Sequence, residues 1–173
     1  MDAIENILSR HSVREYLDKK VSNEDIKTIL TAGMSGPSAV NCKPWEFLIT
    51  QDKAVLEKMA KANGPYAKPI LNAAFGILVL GNTAQGYGGE TGYWPVDCSI
   101  ACQNMILAAH ALGIGSVWLG TYPEMDRVQH HIKDFNLPGN IVPLALLSFG
   151  YPKKENHEIR DQYDESKVHY DKW

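Results

Sequence analysis

Apolar residues recur along this chain with two different spacings, which together predict alternating helices and strands. Apolar positions three and four residues apart, the helical spacing, occur in four segments: 4–8, 22–33, 52–62 and 123–132. In the last segment this spacing predicts that Met125, Val128 and Ile132 face inward. Continuous apolar runs of strand length occur in four others: 46–50, 75–80, 117–119 and 142–149. Ser22 and Asp52 stand where helix N-caps belong, so two helix starts are predicted. The runs 75–80 and 142–149 lack the alternation of half-exposed strands, which predicts strands covered on both faces.

The segment 97–112 is apolar around nearly the whole circumference of a helix and is rich in small residues. A helix that is apolar all round is a buried one. Because a chain of 173 residues can hardly enclose such a helix alone, we expect a second copy to supply one wall. The pattern therefore predicts a homodimer. We interpret His110 in this helix as a core or interface residue rather than a ligand.

Three stretches follow neither spacing and are predicted to be loops. Residues 35–45 contain two prolines, each of which removes a donor and restrains the residue before it. Here Ser38 and Asn41 either offer hydrogen bonds to a ligand or satisfy their own backbone as turn residues, and the residues alone leave both readings open. A shorter loop is predicted at 64–69. Residues 81–95 hold five glycines, which is typical of a mobile functional loop.

Length and charge narrow the class of protein. With 173 residues and 45% hydrophobic content, the chain suits one domain over 1–173, with 151–173 as an extended C-terminal tail. A net charge of −3 and a pI near 6.0 disfavour nucleic-acid binding, which needs a sustained basic face. No long apolar run and no signal-like N-terminus are present, so we expect a cytoplasmic protein without membrane contact. Three cysteines without C-x-x-C spacing predict reduced, buried thiols.

A chemically distinctive stretch near the N-terminus carries Arg10, Ser12 and Arg14. Guanidinium forks and a hydroxyl suit phosphate oxygens, so these residues predict a cradle for a phosphate ester. Two arginines four apart can also form a solvated basic face, and the spacing alone favours that alternative. His130 and His131 would point roughly 100° apart on a helix, so we expect surface residues and no metal site.

The order of these features resembles the nitroreductase family of FMN-dependent oxidoreductases. Four motifs carry the resemblance across nearly the whole chain: Arg10-His11-Ser12-x-Arg14, Gly36-Pro37-Ser38-Ala39-x-Asn41-x-x-Pro44-Trp45, the helix 97–113, and Gly113-x-Gly115-Ser116-x-Trp118-x-Gly120. Each motif is weak singly, and four in register are strong. The resemblance implies an α+β fold with a mixed β-sheet flanked by helices. It further implies an intertwined homodimer with a buried central helix and FMN at the subunit interface.

The resemblance also implies roles for particular residues. Leu119 and Gly120 would bring main-chain N–H groups to the flavin nitrogen that accepts hydride, and they are the catalytic candidates. Lys153, Lys154 or Arg160 would lie near the FMN phosphate. The remaining cofactor contacts come from three groups: Arg10, His11 (largely through its backbone), Ser12 and Arg14; Pro37, Ser38, Ala39 and Asn41 from the partner's loop; and Trp118 beside the catalytic turn.

In activity, the resemblance implies ping-pong hydride transfer from NADH or NADPH through FMN to a nitroaromatic, quinone or related acceptor. The flavin carries this chemistry, so no acid–base constellation is needed. Lys43 stands where many members have glutamine, which predicts an extra cation near the site. Two alternatives are a non-catalytic flavin carrier and a same-fold flavin enzyme with other chemistry, such as reductive dehalogenation. A plain anion-binding module is disfavoured by Trp45, Trp94 and Trp118, which suit an aromatic ligand.

Overall fold

The computed structural model describes residues 2–154, 156 and 158–173. In this part of the chain the α-helices are α1 (Ala3–Ser9), α2 (Asn23–Met34), α3 (Lys53–Asn63), α4 (Trp94–Ala111) and α5 (Met125–Phe135). The strands are β1 (Trp45–Thr50), β2 (Phe75–Asn82), β3 (Gly115–Gly120) and β4 (Ile141–Gly150).

The four strands form one sheet in the order β1-β2-β4-β3. Every neighbouring pair in this order is antiparallel, and an isolated parallel bridge joins Ser12 to Ser116 at β3. The middle strands β2 and β4 are buried at nearly every position, as the continuous apolar runs predicted. The α+β class, with helices flanking the sheet, is confirmed.

Side-chain caps determine where α2 and α3 begin. The Ser22 hydroxyl accepts the Asp25 N–H at 3.0 Å. Asp52 Oδ1 accepts the N–H groups of Ala54 and Val55 at 2.8 and 3.1 Å. Each cap satisfies donors in the first turn that have no partner within the helix. Both helix starts therefore agree with the sequence prediction.

Apolar side chains pack on both faces of this sheet. One core joins α2 and α4 to the sheet and includes Met105 and the stacked rings of Phe75 and Phe149, whose centroids lie 4.7 Å apart. The other core includes Leu56 of α3 packed with Leu78 of β2. The central strands therefore connect two separate apolar layers, and β3 is left at one edge of the sheet.

Two of the predicted loops are wrong in extent. Of the predicted loop 64–69, residues 65–69 belong to a regular element, because Pro65–Asn72 form a 3-10 helix. The segment 81–95 is shorter than predicted, since β2 continues to Asn82 and α4 already begins at Trp94. The prediction failed at both places because a proline can stand in the first turn of a helix, as Pro65 does, and a glycine near the end of a strand, as Gly81 does.

Two of the three tryptophans expected to face a ligand lie in the core instead. Trp94 is 1% exposed and donates its indole N–H to the Glu90 carbonyl at 2.9 Å. Trp45 is 8% exposed. Trp118, at 37% exposure, is the member of the trio that reaches the surface. The argument for an aromatic ligand therefore depends on Trp118.

Helix α4 is not covered all round within one chain. Its inward face, with Cys98 and Met105, is fully buried, but Val96 is 56% exposed. A shallow, largely apolar depression of about 470 Å³ runs along the outer face and is lined by Pro95, Val96, Ser99, Ile100 and Gln103. A single protomer therefore exposes apolar surface on its longest helix.

Among the described residues, no helix is both long enough and apolar enough to cross a membrane, and no group of His, Cys, Asp and Glu is placed to hold a metal ion. Cys98 and Cys102 are buried free thiols, and Cys42 is a partly exposed one. Burial, and then the nearby Asp97 charge, raise the pKa of Cys98 to about 12. This thiol is therefore protonated and unreactive at neutral pH.

Candidate functional site

The segment that carries Ser12 and Arg14 is docked on the open edge of β3. The Val13 N–H donates to the Ser116 carbonyl at 2.8 Å. Val13 is 8% exposed and points into the protein. Because side chains alternate along an extended segment, its neighbours Ser12 and Arg14 point outward, and both are exposed.

Tyr16 anchors the end of this segment. Its side chain is 2% exposed, and its hydroxyl lies 2.7 Å from the Val13 carbonyl and 2.8 Å from Ser148 Oγ. Burial raises the pKa of Tyr16 well above its usual value, so the phenol keeps its proton. One residue later, the Leu17 N–H donates to the Tyr151 carbonyl at 2.8 Å. The exposed Ser12 and Arg14 side chains are thus presented by a backbone held at both ends.

A cavity of about 420 Å³, here called the cradle cavity, lies over this segment. Its lining residues are His11, Ser12, Val13, Arg14, Glu15, Lys154, Asn156 and Glu158. Arg14, Lys154 and Ser12 supply two cations and a hydroxyl, a donor set that suits a phosphate group. Glu15 and Glu158 add two carboxylates, so the cavity is not uniformly positive.

A second cavity, of about 280 Å³, lies at the end of β3 and is here called the turn cavity. It is lined by Arg14, Asn63, Tyr66, Val117, Trp118, Leu119, Gly120 and Arg127. Arg14 lines both cavities, so one elongated ligand with an anionic end could occupy the two together. A Cβ added at Gly120 would meet no atom within 4 Å, which leaves this backbone open to close approach by a flat ring.

Backbone groups along β3 point alternately toward β4 and toward the open edge. The Ser116 carbonyl accepts from Val13 at the open edge, so the residue four positions on, Gly120, directs its backbone groups to the same edge. Leu119 lies opposite Leu146 of β4, and its backbone groups point into the sheet. The alternation therefore favours Gly120 over Leu119 as a source of an N–H for a ligand.

The backbone of Gly120 is held by side chains that were not predicted to be functional. Its carbonyl accepts Arg127 Nη1 at 2.8 Å and Asn63 Nδ2 at 3.2 Å. Asn63 Oδ1 accepts the Thr121 hydroxyl at 2.6 Å and lies 3.2 Å from His131 Nε2. Asn63, Thr121 and His131 are each at most 2% exposed. No short sequence spacing could reveal this network, because its members come from α3, the end of β3 and α5.

His131 is buried, so the sequence prediction of a surface residue is wrong for it and right for the exposed His130. Helix α5 turns Val128 and His131 inward and leaves Met125, which was predicted to be buried, 53% exposed. Burial lowers the pKa of His131 to about 4. The neutral ring donates from Nε2 to Asn63, and its Nδ1 has no hydrogen-bond partner among the described residues.

Replacing His131 by glutamine is expected to flatten the acid side of the stability profile. The folded-state pKa of about 4 lies below the ordinary value of 6.5, so the unfolded chain binds the extra proton between these values. Stability therefore falls as pH falls, by roughly 1 to 2 kcal/mol between pH 6.5 and pH 5 for this group. Urea unfolding at both pH values measures the effect. His130→Gln is the matched control, and equal pH slopes in the wild type and His131→Gln would contradict the assignment.

The basic residues predicted near a phosphate are divided among three cavities. Lys154 lines the cradle cavity with Arg14, whereas Lys153 lines a separate one. Arg160 donates to the Arg10 carbonyl, and these two arginines share a third cavity of about 390 Å³. Burial, and then the nearby charge of Arg160, lower the pKa of Arg10. In this protomer Arg10 thus lies beside the cradle cavity rather than among its lining residues.

The loop 37–43 lines neither the cradle cavity nor the turn cavity of its own protomer. Val40, Asn41 and Lys43 have φ angles of 44°, 59° and 50°, a region that non-glycine residues rarely enter. Such backbone strain concentrates at functional sites. Ser38 Oγ accepts the Lys43 N–H at 2.9 Å, so Ser38 satisfies the backbone of its own loop as a turn residue does. Asn41 is exposed.

Asp97 of α4 holds this loop in place. Its carboxylate is 2% exposed, and Oδ1 accepts the Ala39 N–H at 2.9 Å. The Cys42 thiol lies 3.6 Å from Oδ2, and Gln85 Nε2 donates to the Cys42 carbonyl at 2.8 Å. The loop is therefore held by hydrogen bonds, and its exposed tip lies outside the cradle cavity and the turn cavity of its own chain.

Gly115→Ala is expected to disturb the cradle by displacing Val13. A Cβ at Gly115 would lie 2.7 Å from Val13 Cβ, closer than real contacts allow. Such overpacking costs about 1 to 3 kcal/mol and would push Ser12 and Arg14 from their positions. Denaturant unfolding and anion titration measure the two effects. Gly139→Ala is the control, because a Cβ there meets nothing within 4 Å, and equal behaviour of both variants would contradict the packing argument.

Known proteins resemble this chain in sequence. The model of the nitroreductase family matches residues 7–77 and 65–151. A Methanothermobacter thermautotrophicus protein, whose name assigns it as an NADH dehydrogenase/NAD(P)H nitroreductase, is 40% identical over 173 residues, covering 100% of this chain and 88% of that protein.

Solved structures show the same architecture. A Bacteroides thetaiotaomicron protein with the same assignment in its name matches with a TM-score of 0.90 at 44% identity, over 99% of this chain and 98% of that one. A Desulfovibrio desulfuricans protein, described as a nitroreductase in complex with FMN, matches with a TM-score of 0.80 at 28% identity, over 96% and 95% of the two chains.

Proposed function

The chain belongs to the nitroreductase family, and from that premise we propose that it is an FMN-dependent oxidoreductase that takes hydride from NADH or NADPH. Its acceptor is a nitroaromatic, a quinone or a related compound. Similar proteins named as NAD(P)H nitroreductases support the donor, and the FMN complex of a protein 28% identical supports the cofactor. The observation in this chain that carries the proposal is the position of Arg14. This residue lines both the cradle cavity, whose side chains suit a phosphate, and the turn cavity, which is lined by Gly120.

The residues present fit the two ends of FMN. Arg14, Lys154 and Ser12 would hold the phosphate in the cradle cavity. At the other end, the Gly120 N–H faces an open strand edge where a flat ring can approach, with Trp118 alongside. When bound, FMN supplies the hydride chemistry. The chain orients the ring and offers the Gly120 N–H at a fixed position beside it.

The shape of the site supports ping-pong kinetics. The turn cavity gives access to one open edge of β3, so a hydride donor and an acceptor would reach a ring bound there from the same side. The nicotinamide and the acceptor would therefore use the same face in succession. This order is the one that the resemblance implies.

We also propose that the working unit is a homodimer in which the loop 37–43 completes the partner's site. The loop has three strained non-glycine residues and is held by hydrogen bonds, yet it lines neither the cradle cavity nor the turn cavity of its own chain. Val96 on α4 is 56% exposed, and Tyr170 and Trp173 in the tail are 79% and 99% exposed. Exposed apolar side chains of this kind are typical of interaction sites, and a second copy would cover them.

Flavin content and reduction test the function directly. The purified protein is expected to be yellow, to release FMN rather than FAD on denaturation, and to be bleached by NADH or NADPH without oxygen. Turnover with a panel of nitroaromatics and quinones then identifies the acceptor class. Bound FMN that neither nicotinamide bleaches would favour the carrier alternative. Colourless protein that cannot be reconstituted with FMN would overturn the proposal.

A further inference from the structure

The turn cavity differs from the cradle cavity in the charge of its lining. Two cations, Arg14 and Arg127, line the turn cavity, and none of its lining residues carries a carboxylate. The cradle cavity, in contrast, includes Glu15 and Glu158. Arg14 also lines the cradle cavity, where the proposed function uses it for the phosphate of FMN. Arg127 is therefore a cation of the turn cavity that this phosphate does not need.

Arg127 is held in place while most of its hydrogen-bond donors stay unused. Its Nη1 donates to the Gly120 carbonyl at 2.8 Å. A guanidinium carries five N–H donors, and the others find no side-chain or backbone acceptor within the described part of the chain. Arg127 forms no ion pair with the described residues either. Because its side chain is partly exposed, an anion in the turn cavity can reach the unused donors.

Two exposed aromatic rings line the same cavity. Tyr66 is 78% exposed and Trp118 is 37% exposed. Neither ring contacts another aromatic ring among the residues that the structure describes. Such rings offer large apolar faces against which a flat ligand can pack. The turn cavity thus combines an oriented cation with two aromatic surfaces, a set of groups that suits an aromatic anion.

We propose that Arg127 selects acceptors that carry a carboxylate on their aromatic ring, an inference that rests on the proposed function and names the substrate class of its site. The carboxylate would accept charge-assisted hydrogen bonds from the unused donors of Arg127, while the ring packs beside Tyr66 and Trp118. When the acceptor is a nitro compound, its nitro group takes up one hydride from the reduced cofactor and one proton from solvent, one N–O bond breaks, and water leaves. The carboxylate takes no part in this electron transfer and serves recognition alone.

The nicotinamide donor does not need this cation. Its ring carries a neutral carboxamide, and its diphosphate is separated from the ring by a ribose. We therefore expect Arg127 to affect the acceptor and to leave reduction by NADH or NADPH unchanged.

Matched anionic and neutral compounds test this selection. In the FMN-loaded wild type, naphthoate is expected to bind about tenfold more tightly than naphthamide, measured without turnover by the change in flavin absorbance. Arg127→Met is expected to remove this difference by weakening the binding of naphthoate alone. In turnover, the ratio of kcat/KM for para-nitrobenzoate to that for para-nitrobenzamide should fall about tenfold in the variant. Comparing this ratio between two proteins cancels the intrinsic reactivity of each compound.

Controls separate recognition from general charge and from folding. Lys133→Gln removes one positive charge from the same helix, at an exposed position outside both cavities, and is expected to keep the wild-type preference. Bleaching of the flavin by NADH should stay within about twofold of wild type in Arg127→Met. The wild-type comparison of naphthoate with naphthamide keeps the test available if Arg127→Met fails to fold.

Three results would overturn the inference while leaving the proposed function intact. The first is equal affinity of the wild type for naphthoate and naphthamide, and the second is a preference for naphthoate that survives Arg127→Met. The third is a slowing of NADH bleaching in Arg127→Met as large as its loss of naphthoate affinity, which would assign the cation to the nucleotide diphosphate. A wild type that holds no FMN would overturn both the inference and the proposed function.

Discussion

Arg14→Ala is expected to weaken FMN binding by about ten- to a hundredfold, which corresponds to roughly 1.5 to 3 kcal/mol for hydrogen bonds to a charged group. Arg14 should be the most sensitive position of the cradle because it lines both the cradle cavity and the turn cavity. Ser12→Ala removes a neutral donor and should cost about 1 kcal/mol. Arg10→Ala should cost less than Arg14→Ala, since Arg10 lies in the neighbouring cavity with Arg160. Fluorescence titration of the flavin-free protein measures all three.

Lys20→Ala is the matched control for Arg14→Ala, because Lys20 is an exposed cation six residues further along the same segment. Its removal should leave FMN affinity within about twofold, the scale of a solvated surface charge. If Arg14→Ala behaved like Lys20→Ala, the motif would be the solvated basic face considered as the alternative. Saturating FMN should restore most of the turnover of Arg14→Ala, because phosphate contacts position the cofactor while Gly120 supports the chemistry.

The double variant Val96→Glu with Ile100→Glu is expected to convert the protein from dimer to monomer at micromolar concentration. Both residues line the apolar depression on the outer face of α4. If a second copy covers this face, the interface would bury unpaired carboxylates, which costs several kcal/mol and should weaken dimerisation by about a hundredfold or more. Sedimentation velocity measures the change. FMN affinity should fall with it, because a monomer lacks the partner's loop 37–43.

Gln129→Glu adds a negative charge at an exposed position of α5, outside the apolar depression of α4. It is therefore the control for the effect of added negative charge. It should remain dimeric and retain flavin. A wild-type monomer that binds FMN tightly would contradict the proposed assembly. The same conclusion would follow if the double variant stayed dimeric with unchanged flavin affinity.

Much of the fold could be predicted because the relevant forces act over a few residues. Ser22 and Asp52 cap the helices that follow them by bonding to N–H groups two or three positions away. The apolar runs in β2 and β4 are continuous, so any covered sheet would place them centrally. Once the segment is known to be extended, the exposed Ser12 and Arg14 beside a docked Val13 follow from simple alternation, but the extended conformation itself was not predicted.

The face that a helix buries was less predictable. In α5 the apolar positions suggested that Met125, Val128 and Ile132 face inward, yet the structure buries Val128 and His131. A histidine beside apolar positions can lie on either face, and its burial depends on finding a hydrogen-bond partner. That partner is Asn63, which lies 68 positions earlier in the chain.

The sequence by itself determined the starts of α2 and α3, the central strands and the residue types of an anion cradle, because each depends on residues a few positions apart in the chain. Only the tertiary structure decided which groups meet at Gly120. Asn63 and Arg127 reach its carbonyl from positions 57 residues before and 7 residues after it. Their meeting depends on how α3 and α5 dock beside the end of β3, and that docking is set by packing over the whole core rather than by any local pattern.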